Sequence, residues 1–214
     1  MENYSEMRKN MVQRQIANRG VRDERILEAM ASVQRHLFVP EDSRSFAYAD
    51  RPLPIPSGQT ISQPYIVALM TSHLGPQKEH RVLEVGTGSG YQTAVLAELA
   101  AVVHTIERHP TLAREAQERL QTLGYDHVHV HVGDGSQGYP PAAPYDRILV
   151  AAAAPLVPQP LLDQLAQGGR LVVPVGSRGS QRLEVWERDG DDFTQEPSIP
   201  VVFVPLIGEA GWRE

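Results

Sequence analysis

The sequence contains no cysteine, which excludes a disulfide scaffold, a thiolate nucleophile and any cysteine-held metal or iron–sulfur centre. That suits a reducing cytoplasm. A basic excess is missing too: 20 Lys and Arg stand against 26 Asp and Glu, a net charge of −6. Proteins that live on polyanions carry surplus positive charge, so no nucleic acid partner is expected. No apolar run is long enough to span a bilayer. The most apolar stretch, residues 147–158, falls short of the roughly 20 residues required and is broken by Pro155. The polar front, with Glu2, Glu6, Arg8 and Lys9, has no signal-peptide core. A cytoplasmic protein with no membrane partner is therefore expected. No Gly-Lys-Ser/Thr tripeptide marks a P-loop, no Gly-x-Ser-x-Gly elbow marks a serine nucleophile, and there is no metal motif.

The 214 residues are 41% hydrophobic and 21% charged. A chain of this size buries about 70% of the surface its unfolded form exposes, enough for an ordinary apolar core. Two parts of one compact unit differ in pattern: a cap over residues 1–58 and a core over 59–214. In the cap, Met7, Met11 and Ile16 predict a helix over residues 4–19, stopped by Gly20. Residues 23–33 predict another, with Asp23 as N-cap and Ile26, Leu27, Met30 and Val33 on one face. Residues 40–58 are punctuated by prolines, which lack amide donors and restrict the residues before them, so no helix is expected there. A connection that long is usually functional.

The core alternates strands (81–85, 102–107, 128–132, 145–151, 170–175) with helices (91–100, 110–123, 160–167). That succession predicts an α/β fold, a doubly wound, mostly parallel Rossmann-like sheet beneath an N-terminal helical cap. Residues 182–188, the Asp189-Gly190 turn, Phe193 and residues 201–204 predict antiparallel C-terminal strands, a hairpin and a last strand.

The strongest signal is Val82-Leu83-Glu84-Val85-Gly86-Thr87-Gly88-Ser89-Gly90-Tyr91, a strand that ends in Gly-x-Gly-x-Gly and opens a helix. Such glycines allow positive φ and close approach of a ligand to the backbone, in the crevice where open α/β sheets bind ligands. The dinucleotide fingerprint would require glycine at position 91, where Tyr91 stands. Three successive strands then end near carboxylates: Glu84, Glu107 and Asp134. Glu107 follows Gly86 by about 20 residues, where an acid accepts hydrogen bonds from ribose hydroxyls. Asp134 can accept from an exocyclic adenine amino group, and Glu84 lies beside a place for a cationic amino-acid moiety. Single acids at strand ends are commonly surface residues, but three in succession are uncommon. A ligand with a diol, an adenine, an ammonium and no phosphate suits this rim, and S-adenosylmethionine is such a molecule.

The glycine loop, Glu107 and Gly133-Asp134-Gly135 resemble the binding motifs of class I S-adenosylmethionine-dependent methyltransferases. Asp50-Arg51-Pro52-Leu53-Pro54-Ile55, Gly58-Gln59-Thr60-Ile61-Ser62-Gln63-Pro64, Ala143-Pro144-Tyr145-Asp146, Gly168-Gly169-Arg170-Leu171, Pro174-Val175-Gly176 and Phe203-Val204-Pro205-Leu206 resemble, in consistent order, the protein-L-isoaspartate O-methyltransferases. The resemblance covers residues 8–206, and the block around Ser62 is its most specific part. It implies methylation of isoaspartyl residues in aged proteins and peptides by a monomer. It also implies that Gln59, Thr60, Ile61, Ser62, Glu84, Gly86, Thr87, Gly88, Ser89, Gly90, Glu107, Arg108, Asp134 and Gly135 hold S-adenosylmethionine, with Ser62 catalytic and no metal. The segment after Leu206 has no counterpart in the family pattern.

The chemistry asks for little else. A carboxylate is already an ionised nucleophile at pH 7, so methyl transfer to it needs alignment and desolvation rather than a base. Ser62 precedes an expected helix over residues 63–73. It can cap that helix, aim a substrate oxygen beside the free amides, or do both. His127, His129 and His131 alternate along one strand, which an outer strand with a solvated face explains better than zinc. His104 is expected to be an isolated packing or surface residue. The four alanines from Ala151 to Ala154 combine close packing with room for a peptide backbone.

Overall fold

The computed structural model describes residues 3–213, with Pro197 and Ser198 described by backbone alone. Met1 and Glu2 of the polar front, and Glu214, lie outside the described residues. A seven-stranded sheet forms the centre. Its strands are β3 (Arg81–Val85), β4 (Val102–Glu107), β5 (Val128–Val132), β6 (Tyr145–Val150), β7 (Leu165–Ser177), β8 (Ser180–Asp189) and β9 (Asp192–Val201). The order is β5-β4-β3-β6-β7-β8-β9; the first five run parallel and the last two antiparallel. Chain direction across the sheet reverses beside β3, so the loops leaving β3 and β6 part there and open the crevice characteristic of such sheets. Register carries these ends to one rim: Val85 pairs with both Ile106 and Val150, and Glu107 pairs with Val132.

Alternation along the central strands feeds two cores. Leu83, Val85, Ile148 and Val150 face one side, while Val82, Val103, Leu149 and Val172 face the other. Helices α3 (Pro64–Leu74), α4 (Tyr91–Ala97), α5 (Pro110–Thr122) and α6 (Gln159–Asp163) flank the sheet. Pro64 and Pro110 occupy first-turn positions where their missing amides cost nothing, and Gly75, at φ 60, ends α3. The front carries α1 (Tyr4–Asn10) and α2 (Glu24–Ser32), whose cap is Asp23, accepting from the Arg25 amide. Met11, Ile16, Ile26 and Phe38 share a cluster with Tyr91, Leu112 and Leu120, so the front packs directly on α4 and α5. The expected boundary at residues 58 and 59 falls in the turn of a small hairpin, β1 (Leu53–Pro54) with β2 (Thr60–Ile61).

Several expectations change in detail. The helix over residues 4–19 is continuous but switches after α1 to a π-helical stretch, Met11–Ile16, and a 3-10 turn, Ala17–Arg19, before Gly20 at φ 102. Met11 and Ile16 are five apart, and the i+5 bonding of a π turn brings both inward. Residues 40–58 contain no α-helix but do contain 3-10 turns at Glu41–Phe46 and Pro56–Gly58. Helix α4 stops at Ala97, and α6 ends at Asp163, so β7 starts at Leu165 rather than 170. The hairpin is correct but the separate last strand is not. Residues 193–201 form one strand with β8, and residues 202–204 leave the sheet. Strand β5 lies at the sheet edge. Among the described residues no helix is long and apolar enough to cross a membrane.

Candidate active site

At the carboxyl ends of β3, β4 and β6 lies a cavity. The amides of Gly86 and Thr87 both donate to the Ile106 carbonyl, at 2.8 and 3.3 Å, folding the glycine loop over the sheet. Gly88 adopts φ 52, a conformation L side chains rarely adopt, and lines the cavity. Its amide donates to Glu107 Oε2 at 2.9 Å, and the His109 amide donates to Oε1 at 3.0 Å. Glu107 is only 5% exposed, yet it lines the cavity. A carboxylate offers about four acceptor sites, so capacity remains for a ligand's hydroxyls. Val85, Ile106 and Leu206 supply apolar surface around it.

Eleven of the fourteen expected residues line this cavity: Gln59, Thr60, Ile61, Ser62, Gly86, Thr87, Gly88, Ser89, Glu107, Arg108 and Gly135. Three do not. Glu84 points to the opposite face of β3 from Val85 and is fully buried. Its Oε2 accepts from Thr93 Oγ1 at 2.5 Å and Thr105 Oγ1 at 2.7 Å. Burial pushes its carboxyl up to about 8, and direct contact with a ligand ammonium is ruled out by its position. Asp134 is turned away as well. Its Oδ1 accepts from the Ser136 amide (2.9 Å) and hydroxyl (2.7 Å), and its Oδ2 from the Glu209 amide (2.7 Å). Gly90 starts α4 at φ 86, and a Cβ there would come within 3.3 Å of Leu120. The third glycine therefore serves the packing of α4 against α5.

Sequence reasoning missed the far wall, formed by Val204, Pro205, Leu206 and Ile207. The tail is brought there by main-chain bonds: Ala153 N–H donates to Val204 O and Leu206 N–H to Ala153 O, both at 2.8 Å. Thus Ala153 and Ala154 make close backbone contacts, while Ala151 and Ala152 leave open space at the cavity. Nothing in the tail's composition signalled this, because the signal is a register between distant segments.

Ser62 is not a helix cap. Pro64 begins α3, so the N-cap position falls on Gln63, which makes no side-chain capping bond. The Ser62 hydroxyl has no hydrogen-bond partner among the described residues, and it lines both the first cavity and a second cleft. The two share Thr60, Ser62, Ala151 and Val204 as a common wall. Gln63 and Ile66, at the start of α3, line the second cleft. The amides of Tyr65 and Ile66 lack intrahelical partners, so this end carries partial positive charge. A carboxylate in the second cleft would meet that charge and the Ser62 hydroxyl together.

The histidines form a different arrangement from the expected one. His131 stacks on Tyr139 with ring centroids 3.7 Å apart, and its Nε2 lies 3.0 Å from Nδ1 of His104. His104 is therefore not isolated. Burial, with His129 and His131 beside it, pushes His104 down to about 4, so it is neutral at pH 7. Among the described residues no three His, Asp or Glu side chains come together so as to hold a metal ion.

Residues 6–211 match the family model described as protein-L-isoaspartate(D-aspartate) O-methyltransferase. The chain is 58% identical over 209 residues to the protein-L-isoaspartate O-methyltransferase of Methanoregula boonei, spanning 98% of this chain and 96% of that one. It is also 58% identical over 207 residues to the enzyme of the same name from Methanoculleus marisnigri, spanning 96% and 94%. A solved protein-L-isoaspartate O-methyltransferase superposes with a TM-score of 0.86 at 28% identity, covering 95% of this chain and 67% of that one. A beta-aspartate methyltransferase from Plasmodium falciparum, solved with S-adenosyl-L-homocysteine, superposes with a TM-score of 0.81 at 25% identity, covering 97% and 99%.

Proposed function

Because the chain belongs to the protein-L-isoaspartate(D-aspartate) O-methyltransferase family, we infer that it transfers a methyl group from S-adenosylmethionine to the free carboxylate of L-isoaspartyl residues in damaged proteins and peptides, initiating their repair. The residues present fit this cofactor. A nearly buried carboxylate with unused acceptor sites suits a ribose diol, and Val85, Ile106 and Leu206 offer an apolar bed for a base. Gly86 and Gly88, without side chains, admit close approach. No Lys-bearing phosphate cradle competes with that reading.

When bound, S-adenosylmethionine supplies an electrophilic methyl group on a sulfonium. Glu107 and the loop from Gly86 to Ser89 hold it, together with Gln59, Thr60, Ile61, Arg108 and Gly135. The shared wall is the observation that carries the reading. Ser62, unbonded and open to both cavities, donates to one oxygen of the acceptor carboxylate and aims the other. The free amides opening α3 stabilise the same anion. The acceptor is already ionised at pH 7, so no residue needs to act as base, and the side chains exclude water and fix the line of attack.

The reading extends to a monomer, a cytoplasmic location and no nucleic acid partner. The cysteine-free sequence suits a reducing compartment, and the net charge of −6 disfavours polyanions. Residues 1–58 act as a cap on the core of residues 59–214. The test is methyl acceptance by an isoaspartyl peptide and by its normal aspartyl twin. Labelling of the isomerised peptide alone is expected; equal or absent labelling of the two refutes the reading.

A further inference from the structure

Beneath the glycine loop lies an acid that the mechanism above does not use. Glu84 is fully buried on β3. Of the elements packed against it, α4 brings Thr93, β4 brings Thr105 and β6 sets Leu149 beside it. Its Oε2 accepts from both threonine hydroxyls, while its Oε1 has no partner among the described residues. Among the described residues the one titratable group acting on it is Glu107, a like charge. Two hydroxyls do not compensate a buried negative charge, and an unpaired lone pair adds to the penalty. Without a nearby cation this carboxyl holds its proton through neutral pH, consistent with burial pushing it up to about 8.

Yet Glu84 is close to the cavity in bonding terms. Thr105 Oγ1 also bonds Thr87 Oγ1 at 2.7 Å, and Thr87 lines the cavity. Glu107 lines it as well, on the other flank of the same loop. A positive charge placed there acts on both acids across a medium of low dielectric, where charge–charge interactions are strong. The methyl donor and its product differ in that respect. S-adenosylmethionine carries one net positive charge through its sulfonium; S-adenosylhomocysteine carries none.

We propose that Glu84 makes the site discriminate between methyl donor and spent product by charge, ionising when the sulfonium binds and taking its proton back once the sulfonium has become a thioether. The proposal rests on the reading of the cavity as an S-adenosylmethionine site. On donor binding the O–H bond of the Glu84 carboxyl breaks, and the proton passes to solvent. The resulting carboxylate attracts the sulfonium. After methyl transfer that attraction is gone, an ionised Glu84 faces only Glu107, and reprotonation leaves the product without the added hold. Donor affinity then rises with pH, because the donor-bound form has the lower proton affinity.

The test is calorimetric titration of the full chain with S-adenosylmethionine and with S-adenosylhomocysteine, in buffers of different ionisation enthalpy. Near pH 7.5 the donor is expected to release on the order of half a proton more than the product does, and donor affinity is expected to rise severalfold between about pH 6.5 and 8.5. Glu84→Gln subtracts any proton exchanged by the ligand's own amine and should abolish the difference. Should that variant not fold, infrared difference spectra of the unmodified chain serve instead: a protonated-carboxyl band lost on adding donor and kept on adding product. Equal proton release by both ligands, a difference that persists in Glu84→Gln, or a carboxyl band unaffected by donor overturns the proposal. Failure of both ligands to bind overturns the reading of the cavity itself.

Discussion

Replacing Glu107 tests the cavity most directly, because the structure lets ligand binding be separated from folding. The side chain is 5% exposed and accepts two main-chain amides, from Gly88 and His109. Alanine would strip both amides of their acceptor, each costing about 1–3 kcal/mol if it stays dry. Water reaching the emptied cavity keeps the cost near the low end, so the ligand-free protein should lose about 2 kcal/mol. The ligand would lose its own bonds to the carboxylate as well. A hydrogen bond to a charged acceptor is worth about 1.5–3 kcal/mol, which converts to about 10–150-fold in dissociation constant. Glu107→Gln should do little better. Its amide nitrogen must face either Gly88 N–H or His109 N–H, donor against donor. The assay is calorimetric titration with S-adenosylhomocysteine beside thermal unfolding without ligand. A lowered melting temperature with product affinity unchanged within about twofold would make Glu107 a strut for the loop and remove it from the binding site.

Ser62→Ala should leave product affinity and melting temperature essentially unchanged, because no capping bond exists to lose. It should lower kcat/KM for an isoaspartyl peptide by about 10-fold or more, the worth of one bond to an ionised oxygen; unaltered turnover excludes the aiming role. Asp134→Ala removes the acceptor for the Glu209 amide and for the amide and hydroxyl of Ser136. Residues 206–212 should then exchange their amide hydrogens faster, and product affinity should fall by a few-fold, since Leu206 and Ile207 line the cavity. Unchanged protection of that segment would show that Asp134 does not hold it.

What was legible in the sequence was whatever depends on local chemistry. Strands β3, β4 and β5 appear with the expected limits: β3 is a buried, nearly continuous apolar run, as parallel strands tend to be, whereas β5 at the sheet edge alternates valine with histidine. Asp23 and Gly20 mark helix ends by side-chain and backbone preferences that act within a few residues. The glycine loop belongs to the same class. Ser62 was misplaced by one position as a candidate cap because Pro64, not Gln63, starts α3; reading the proline as a first-turn residue would have corrected it. The tail was illegible for a different reason. Residues 204–207 reach the cavity through bonds to Ala153, about 50 residues earlier, and no local pattern encodes a pairing between irregular segments.

The three acids near successive strand ends show how a one-residue offset changes a carboxylate's task. In a strand, neighbouring side chains point to opposite faces. Val85 and Glu84 therefore cannot both face the cavity; Val85 lines it, and Glu84 is committed to the layer of Thr93 and Thr105. Glu107 is the last residue of β4, where the strand gives way to the turn before α5, so its carboxylate can fold back to the Gly88 amide and still face the cavity. Asp134 lies two residues beyond the end of β5, outside the ladder altogether. There its short side chain caps its own turn and holds the tail through the Glu209 amide. Gly208 permits this bond, since a Cβ there would collide with the Asp134 carboxylate. Acid at a rim is thus a statement about sequence position; ligand contact, buried charge or structural tie follows from which face the backbone gives it.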